Sequence, residues 1–294
     1  MDGRQPKGDH YLSPESAAVE VHTIVGDVSS VREDSVAVEE PLEIRLVFGP
    51  SSRRVQKSLA VTMRTPGHDE ELAAGFLLSE AIIAGANDIL AVRPAGPASG
   101  PGKSQNVVVV ELRPETSFDP RLVERHFYTT SSCGVCGISS IDALEARFAK
   151  SNAPYPYSPV IQPAVIHTLP QRLREVQQTF NTTGGLHAAA LFDTTGRLLS
   201  VREDVGRHNA VDKLLGAEVL ADRLPLGESV LFLSGRVSFE LVQKAAAAGI
   251  PVVAAVGAPS SLAIVAGERF GLTVLGFVRE GRFNVYSGQE RVRG

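Results

Sequence analysis

Cysteine is scarce and tryptophan is absent in this chain, which has 294 residues but two cysteines and no tryptophan. Both cysteines, Cys133 and Cys136, stand as Cys-x-x-Cys within residues 129–137, a segment of small residues. Core packing does not explain the pair, because the segment contains no large apolar anchor. The scarcity and the spacing together indicate sulfur or metal chemistry.

A long apolar run is also absent. No stretch can span a bilayer, and the first residues, MDGRQP, contain no apolar signal region. We therefore expect a cytoplasmic protein without a membrane partner, in which paired thiols are reduced and a fixed structural disulfide is unusual. Positive charge is not in excess, since the formal net charge is -4. This balance argues against a broad nucleic-acid-binding surface but leaves room for local basic pockets.

The residues after the second cysteine predict a helix. Apolar residues recur at helical spacing after Gly137, at Ile138, Ile141, Leu144 and Phe148. The cysteines would then precede a helix N-terminus, whose positive pole stabilises a thiolate. Three interpretations stay open at this point: a redox dithiol, half of a zinc site, or a sulfur-relay nucleophile with a helper thiol.

Composition and patterning predict an α/β protein in four parts. Residues 1–19 are polar and are expected to be a disordered tail. Residues 20–118 form a β-rich region with one helix, 119–160 carry the thiol loop and its helix, and 161–294 form an α/β domain. Within the second part, residues 94–105 are rich in Pro, Gly and Ser and are predicted to be a linker or loop.

The β-rich region has alternating apolar positions bounded by turn residues. The expected strands are 19–24, 35–47, 59–63 and 107–112, with a helix from Asp69 through Leu72, Phe76, Leu77 and Ile82.

The α/β domain begins with a hairpin and continues with alternating helices and strands. The segments 186–192 and 197–201 flank Asp193-Thr194-Thr195-Gly196, a turn signal. The predicted elements that follow are a helix through Val211, Leu214 and Leu215, a strand 229–233, a helix 237–248, a strand 251–256, a helix 261–270 and a strand 273–278. Apolar strands joined by crossover helices predict a covered, largely parallel sheet.

Polar residues follow the strands of this predicted sheet, where ligands of open α/β sheets bind and helix N-termini point. The four segments are 202–209, 234–236, 257–261 and 279–282, and three of them contain arginine. Recurrence at successive strand ends predicts a phosphate-bearing ligand. The candidate residues outside the last segment are Arg207, His208, Asn209, Ser234 and Arg236.

Two of these candidates have a simpler alternative. Arg207 and His208 would lie in the first turn of a helix, where a positive charge interacts unfavourably with the helix dipole. A bound anion would make the net interaction favourable. The alternative is that Glu203 and Asp204 simply neutralise them. His187 likewise opens a strand beside two glycines, either as a core histidine or as a site residue.

The order hairpin, helix, strand, helix, strand is that of the cytidine-deaminase-like fold. Zinc deaminases of this fold carry His-x-Glu at one helix start and Pro-Cys-x-x-Cys at the next. The corresponding segments here, 206–209 and 234–237, contain neither motif. Deaminase chemistry is therefore not predicted, and zinc at Cys133 and Cys136 would need two further ligands or a second subunit.

Several longer segments together resemble one family. They are Ser131-Ser132-Cys133-Gly134-Val135-Cys136-Gly137, Gly184-Gly185-Leu186-His187, Arg202-Glu203-Asp204-Val205-Gly206-Arg207-His208-Asn209-Ala210-Val211-Asp212-Lys213, Ser234-Gly235-Arg236, Gly276-Phe277, Thr65-Pro66-Gly67, Gly75-Phe76-Leu77 and Ser79-Glu80. The sequence closely resembles the FdhD family, the formate dehydrogenase accessory sulfurtransferases. The resemblance spans about residues 21–286.

This resemblance implies a cytoplasmic, homodimeric sulfur carrier with a deaminase-like core. Such a carrier accepts sulfur as a persulfide from a cysteine desulfurase and passes it to the bis-guanine-dinucleotide molybdenum cofactor before formate dehydrogenase receives that cofactor. By resemblance Cys133 bears the persulfide and Cys136 assists it. The family's cofactor-binding stretch corresponds to Phe277, Val278, Arg279, Glu280, Gly281 and Arg282.

A second class of function stays open. The chain could be a binding chaperone for the molybdenum cofactor or for a guanine nucleotide, in which the cysteine pair holds zinc or stabilises a dimer. In the carrier interpretation no resident metal is expected, the cofactor is a bound substrate, and a guanine nucleotide serves as its surrogate. The stoichiometry of zinc separates the two classes.

Overall fold

Three β-sheets and the helices between them form a mixed α/β fold. The computed structural model describes residues 11–99, 104–116 and 159–294. The cysteine pair, the helix predicted after it and the first ten residues lie outside these ranges. Among the described helices, none is long and apolar enough to cross a membrane.

An antiparallel three-stranded sheet begins the described chain. Its strands are β1 (Tyr11–Ser13), β2 (Ser16–Val25) and β3 (Val28–Ala37), in the order β1-β2-β3. The prediction of a disordered tail is therefore wrong for residues 11–19. The polar composition of this segment does not reveal that β2 pairs continuously with β3. The two strands are joined by a turn at Gly26, where φ is +57°.

A four-stranded sheet follows, made of β4 (Glu40–Phe48), β5 (Val55–Arg64), β6 (Ile89–Ser99) and β7 (Ser104–Leu112). The strand predicted over 35–47 is in fact the end of β3 and most of β4, interrupted at residues 38–39. The linker predicted over 94–105 is also wrong, because β6 runs through residues 94–99. Pro94 and Pro97 are tolerated there because β6 is an edge strand in the order β5-β4-β7-β6.

The largest sheet has six strands: β8 (His187–Asp193), β9 (Leu198–Asp204), β10 (Ser229–Leu233), β11 (Val252–Ala255), β12 (Thr273–Arg279) and β13 (Arg282–Ser287). Their order is β13-β12-β11-β10-β8-β9, and β10, β11 and β12 are parallel. The other neighbours pair antiparallel, so the sheet is mixed rather than largely parallel. Hairpins at both edges cause this difference, and β13 was not predicted from the sequence.

Helices cover both faces of this sheet. They are α1 (Asp69–Ser79) from the N-terminal part, then α2 (Pro163–Val176), α3 (Gln178–Thr183), α4 (Arg207–Leu220), α5 (Phe239–Ala247) and α6 (Ser261–Arg269). Leu169 and Leu173 of α2 pack with Phe192 and Phe232 on one face. A larger core on the other face joins α4 and α5 to α1 and to the four-stranded sheet.

Helices α1 and α4 cross at two glycines. A Cβ built on Gly75 would collide with the carbonyl oxygen of Asp212, and one built on Gly216 would collide with that of Glu71. The backbones touch because neither position carries a side chain. This contact fixes the N-terminal part against the six-stranded sheet.

Candidate functional site

The segments that follow β10, β11 and β12 meet at one edge of the six-stranded sheet, as the sequence predicts. The amide of Gly257 donates to the carbonyl of Gly235 at 2.9 Å, and the amide of Phe277 donates to the carbonyl of Gly257 at 3.0 Å. A Cβ on Gly257 would lie 2.7 Å from the Gly235 oxygen, so this approach requires glycine. The backbone thereby aligns three of the four predicted strand ends.

His187 joins this edge although its strand runs the other way. Because β8 is antiparallel to β10, its first residues lie beside the end of β10. The amide of Ala188 donates to Ser234 Oγ at 2.8 Å, which leaves this hydroxyl engaged with the backbone. A Cβ on Gly235 would lie 3.3 Å from His187 Nδ1, so the imidazole packs directly on that glycine.

A cleft of about 530 Å³ opens beside His187. Its lining comes from α2, α3 and the strand ends: Pro170, Leu173, Arg174, Gln177, Phe180, Gly184, Gly185, Leu186, His187, Ser234 and Val256. Within it the guanidinium of Arg174 lies 4.4 Å above the ring centre of Phe180. The cleft offers an aromatic surface, one guanidinium and a histidine, a combination that suits an anionic ligand with a flat ring.

Arg207 begins α4 beside this histidine. Its Nε atom is buried and has no hydrogen-bond acceptor among the described residues. Burial lowers the pKa of His187 and of His208, and the charge of Arg207 lowers each of them further. A guanidinium near two histidines, with a buried Nε atom that lacks an acceptor in the described ranges, is suited to an anion.

The acids expected as alternative partners of Arg207 and His208 bind elsewhere. Glu203 accepts hydrogen bonds from the amides of Thr179 and Phe180 at 3.1 and 2.9 Å, at the start of α3. Asp204 is fully buried and lies 2.7 Å from the Nζ atom of Lys213. Neither carboxylate forms an ion pair with Arg207 or His208 in the described structure, so no direct contact supports the neutralisation alternative.

His208 is held in its neutral form. Burial lowers its pKa first, the charges of Lys244 and Arg207 lower it further, and together they bring it to about 3. Its Nε2 atom lies 3.1 Å from Ser238 Oγ and 3.8 Å from a carboxylate oxygen of Glu240. A neutral imidazole can position Ser238 but supplies no charge to an anion.

Asn209 serves the structure rather than an open site. Its side chain is buried and donates to the Met63 carbonyl at 2.7 Å and to an Asp204 oxygen at 3.1 Å, and it accepts from the Thr62 hydroxyl at 3.2 Å. These partners belong to β5 and β9. Asn209 therefore ties the start of α4 to the four-stranded sheet.

Residues 277–282 form the end of β12, a two-residue turn and the start of β13. Phe277 has φ of +53°, a conformation that is strained for a non-glycine residue, and its side chain is 40% exposed. Val278 is buried, whereas Arg279, Glu280 and Arg282 are exposed. Arg279 Nη1 donates to the Val256 and Val278 carbonyls at 2.7 and 2.8 Å.

The turn itself depends on Gly281, whose φ is +70°. Arg236, after β10, is also exposed. The strand edge therefore presents Arg236, Arg282 and the ring of Phe277 to solvent.

The described ranges contain no group of three or more His, Cys, Asp or Glu side chains that could hold an ion. Cys133 and Cys136 lie outside these ranges.

Comparison with known proteins identifies the family. The sequence profile described as the FdhD/NarQ family matches residues 37–293. The chain belongs to the FdhD/NarQ family. Its predicted family resemblance is thus confirmed.

Several proteins similar to this FdhD/NarQ family chain carry the name sulfur carrier protein FdhD. One from Streptomyces avermitilis is 49% identical over 267 residues, which cover 90% of each chain. One from Mycobacterium tuberculosis is 47% identical over 279 residues, covering 92% of this chain and 96% of the relative. A crystal structure from Desulfotalea psychrophila, described as a formate dehydrogenase accessory protein, has a TM-score of 0.71 and 26% identity. It covers 95% of this chain and 100% of its own.

Sequence reasoning missed two features of this FdhD/NarQ chain. Arg174 and Phe180 line the cleft but belong to α2 and α3, which were not predicted. The buried pair of Asp212 and Lys244, with Nζ–Oδ distances of 2.7 and 2.8 Å, was also missed. No local pattern marks this pair, because Lys244 is 32 residues from Asp212.

Proposed function

We propose that this chain is a sulfur carrier for the maturation of formate dehydrogenase. It receives sulfur on Cys133 from a cysteine desulfurase and delivers it to the bis-guanine-dinucleotide molybdenum cofactor, which it binds as a substrate. Membership of the FdhD/NarQ family carries this proposal, together with the printed name of the relatives, sulfur carrier protein FdhD.

The loading step follows from thiol chemistry. The Cys133 thiolate attacks the terminal sulfur of the desulfurase persulfide, a new S–S bond forms on Cys133, and the desulfurase thiolate leaves. No net oxidation or reduction occurs, because the terminal sulfur only changes its partner. Cys136 is proposed to assist release of that sulfur. The small residues around the pair favour access to a partner enzyme.

The cofactor is proposed to bind at the edge of the six-stranded sheet. Residues 277–282 supply an exposed ring and exposed arginines, and Arg207 contributes a guanidinium without an acidic partner in the described structure. Guanidinium groups pair well with phosphate, and aromatic rings stack on flat bases. The roles of His208 and Ser234 are then to hold neighbouring groups rather than to carry charge.

The remaining expectations belong to the same proposal. A deaminase-like relationship of the α/β region is supported by its order: the β8–β9 hairpin, α4, β10, α5 and β11. A homodimer, a cytoplasmic location and formate dehydrogenase as the recipient are expected from the family resemblance.

Mass spectrometry of the purified chain after incubation with a cysteine desulfurase and cysteine tests the proposal. We expect one added sulfur on Cys133, no addition in Cys133→Ala, and addition with impaired release in Cys136→Ala. Full sulfur loading of Cys133→Ala would contradict the assignment. Stoichiometric zinc that is lost on replacement of either cysteine would favour the binding-chaperone alternative.

A further inference from the structure

We infer that His187 is a second ligand of the phosphate group that Arg207 holds, and that it binds this group as an imidazolium. This inference rests on the proposed function, because it concerns the phosphates of the same nucleotide-bearing substrate. It assigns a binding role to a histidine that lies outside residues 277–282.

The geometry begins with Arg207. Its Nε atom is buried but has no acceptor among the described residues, and the two nearest acids in sequence, Glu203 and Asp204, are committed to α3 and Lys213. A buried donor without a partner costs free energy that a ligand oxygen would recover. Arg207 thus needs an acceptor that the described part of the protein does not supply.

His187 lies close to the start of α4, because it pairs with Asp204, three residues before Arg207. It opens β8 directly opposite Asp204 of β9, its ring packs on Gly235, and it lines the cleft. No hydrogen bond of its ring is found among the described residues. The imidazole is therefore held in place by packing and has its nitrogens available for a ligand.

The charges around His187 set the conditions for proton uptake. Burial lowers its pKa first, Arg207 on α4 lowers it further, and Asp204 on β9 opposes them. Arg174 on α2 shares the cleft, and His208 on α4 is electrostatically coupled to His187. At neutral pH these charges and the burial favour a neutral imidazole in the free site.

A phosphate group at Arg207 changes this balance. Its negative charge compensates the guanidinium and adds a direct attraction to an imidazolium, so the pKa of His187 rises on binding. Between the pKa of the free site and that of the occupied site, each binding event takes up a proton. Affinity for the anion therefore increases as the pH falls through this interval.

Calorimetric titration with inorganic pyrophosphate tests the inference. Titrations in buffers of different ionisation enthalpy, at several values between about pH 5 and pH 8, count the protons taken up at the histidine. We expect His187→Gln to lose that uptake and to bind about tenfold more weakly at the acidic end, where a charge-assisted hydrogen bond is removed. Proton uptake measured with the variant reports the protons that pyrophosphate itself gains, and it is subtracted from the uptake measured with the wild type.

Two further variants sharpen the result. Gly235→Ala should weaken binding in the same direction, because the new Cβ would displace the imidazole by a few tenths of an ångström. His22→Gln, on the exposed part of β2, is the matched control and should titrate like the wild type. Equal affinity and equal proton uptake in His187→Gln and wild type would overturn the inference. A failure of persulfide formation on Cys133 would instead contradict the sulfur-carrier proposal and leave this result intact.

Discussion

Glu71 of α1 and Arg202 of β9 form a two-point ion pair between the N-terminal part and the six-stranded sheet. Arg202 Nε lies 2.5 Å from Glu71 Oε2, and Arg202 Nη2 lies 2.7 Å from Oε1. Burial alone would raise the pKa of Glu71, but hydrogen bonds from Arg202 and His68 outweigh it and hold the pKa at about 2. The pair is therefore a pH-dependent link between the two parts.

The first prediction concerns the pH dependence of stability. The pKa of Glu71 is lower in the folded state than its usual value of 4.5. The ionised carboxylate therefore contributes fully to the free energy of unfolding above pH 4.5, and this contribution is lost as the pH falls towards about 2. At neutral pH this contribution should be roughly 3 kcal/mol. Urea unfolding of wild type and Glu71→Gln, measured at neutral and at acid pH, tests it.

The neighbouring Glu70 provides the control, because no ion pair of its side chain is found among the described residues. Glu70→Gln should retain the acid-sensitive stability of the wild type. A Glu71→Gln variant that loses stability with falling pH as steeply as the wild type would show that the link lies elsewhere.

The second prediction concerns the crossing of α1 and α4. Gly75→Ala and Gly216→Ala each place a methyl group against a carbonyl oxygen of the opposite helix. We expect each to lower the free energy of unfolding by about 3 kcal/mol, at the upper end of overpacking costs. Gly227→Ala is the control, because a Cβ there meets no atom within 4 Å. Equal stability of all three variants would mean that the helices can separate without cost.

The strands near the site could be predicted from sequence because local signals and burial agree there. The β8–β9 hairpin turns at residues 193–196, where Asp193 Oδ1 accepts hydrogen bonds from the amides of Thr195 and Arg197. Strands β10 and β11 are fully buried apolar runs. Each feature is determined by residues adjacent in sequence.

Other elements depend on position in the fold. Pro94 and Pro97 argue against a strand unless that strand lies at an edge, and sequence does not reveal the strand order. Pro170 similarly lies inside α2, which is stabilised by packing of its apolar face on Phe192. Such elements could not be predicted because tertiary contacts override local preference.

The candidate site also combines features that local sequence determines with features that depend on tertiary contacts. Its strand ends were predicted because parallel strands bring their carboxyl ends together. The roles of Asn209 and Asp204 were not predictable, because their partners Met63 and Thr65 come from more than 100 residues away. The hydrogen bonds that satisfy these polar groups therefore lie outside the local pattern of residues 202–209.

The third prediction concerns Arg282, which is exposed beside the β12–β13 turn. Charge-assisted bonds to phosphate contribute roughly 1.5–3 kcal/mol, so Arg282→Ala should weaken guanosine diphosphate binding at least about tenfold. Arg207→Ala should have an effect of similar size. Arg197→Ala, at the β8–β9 turn, removes an exposed arginine from another part of the same sheet and should bind normally. Unchanged calorimetric affinity in both Arg282→Ala and Arg207→Ala would count against this edge as the nucleotide site.

The fourth prediction separates the strain at Phe277 from its role in binding. Glycine is normally less favourable than alanine in a folded strand, but at a φ of +53° it adopts the backbone without strain. Phe277→Gly should therefore be more stable than Phe277→Ala by about 1 kcal/mol, the reverse of the usual order. Chemical denaturation of the two variants measures this difference.

Both substitutions remove the ring, so they should weaken guanosine diphosphate binding equally. Stacking of a base on an aromatic side chain contributes roughly 1–3 kcal/mol, which corresponds to a loss of about tenfold or more. Phe277→Tyr retains a flat ring and should bind like the wild type. If glycine, alanine and tyrosine variants all bind equally, the ring does not contact the base. The alternative result is that only the tyrosine variant retains affinity and that the glycine variant is more stable than the alanine variant. The strained backbone at Phe277 then lowers stability but presents the ring to the ligand.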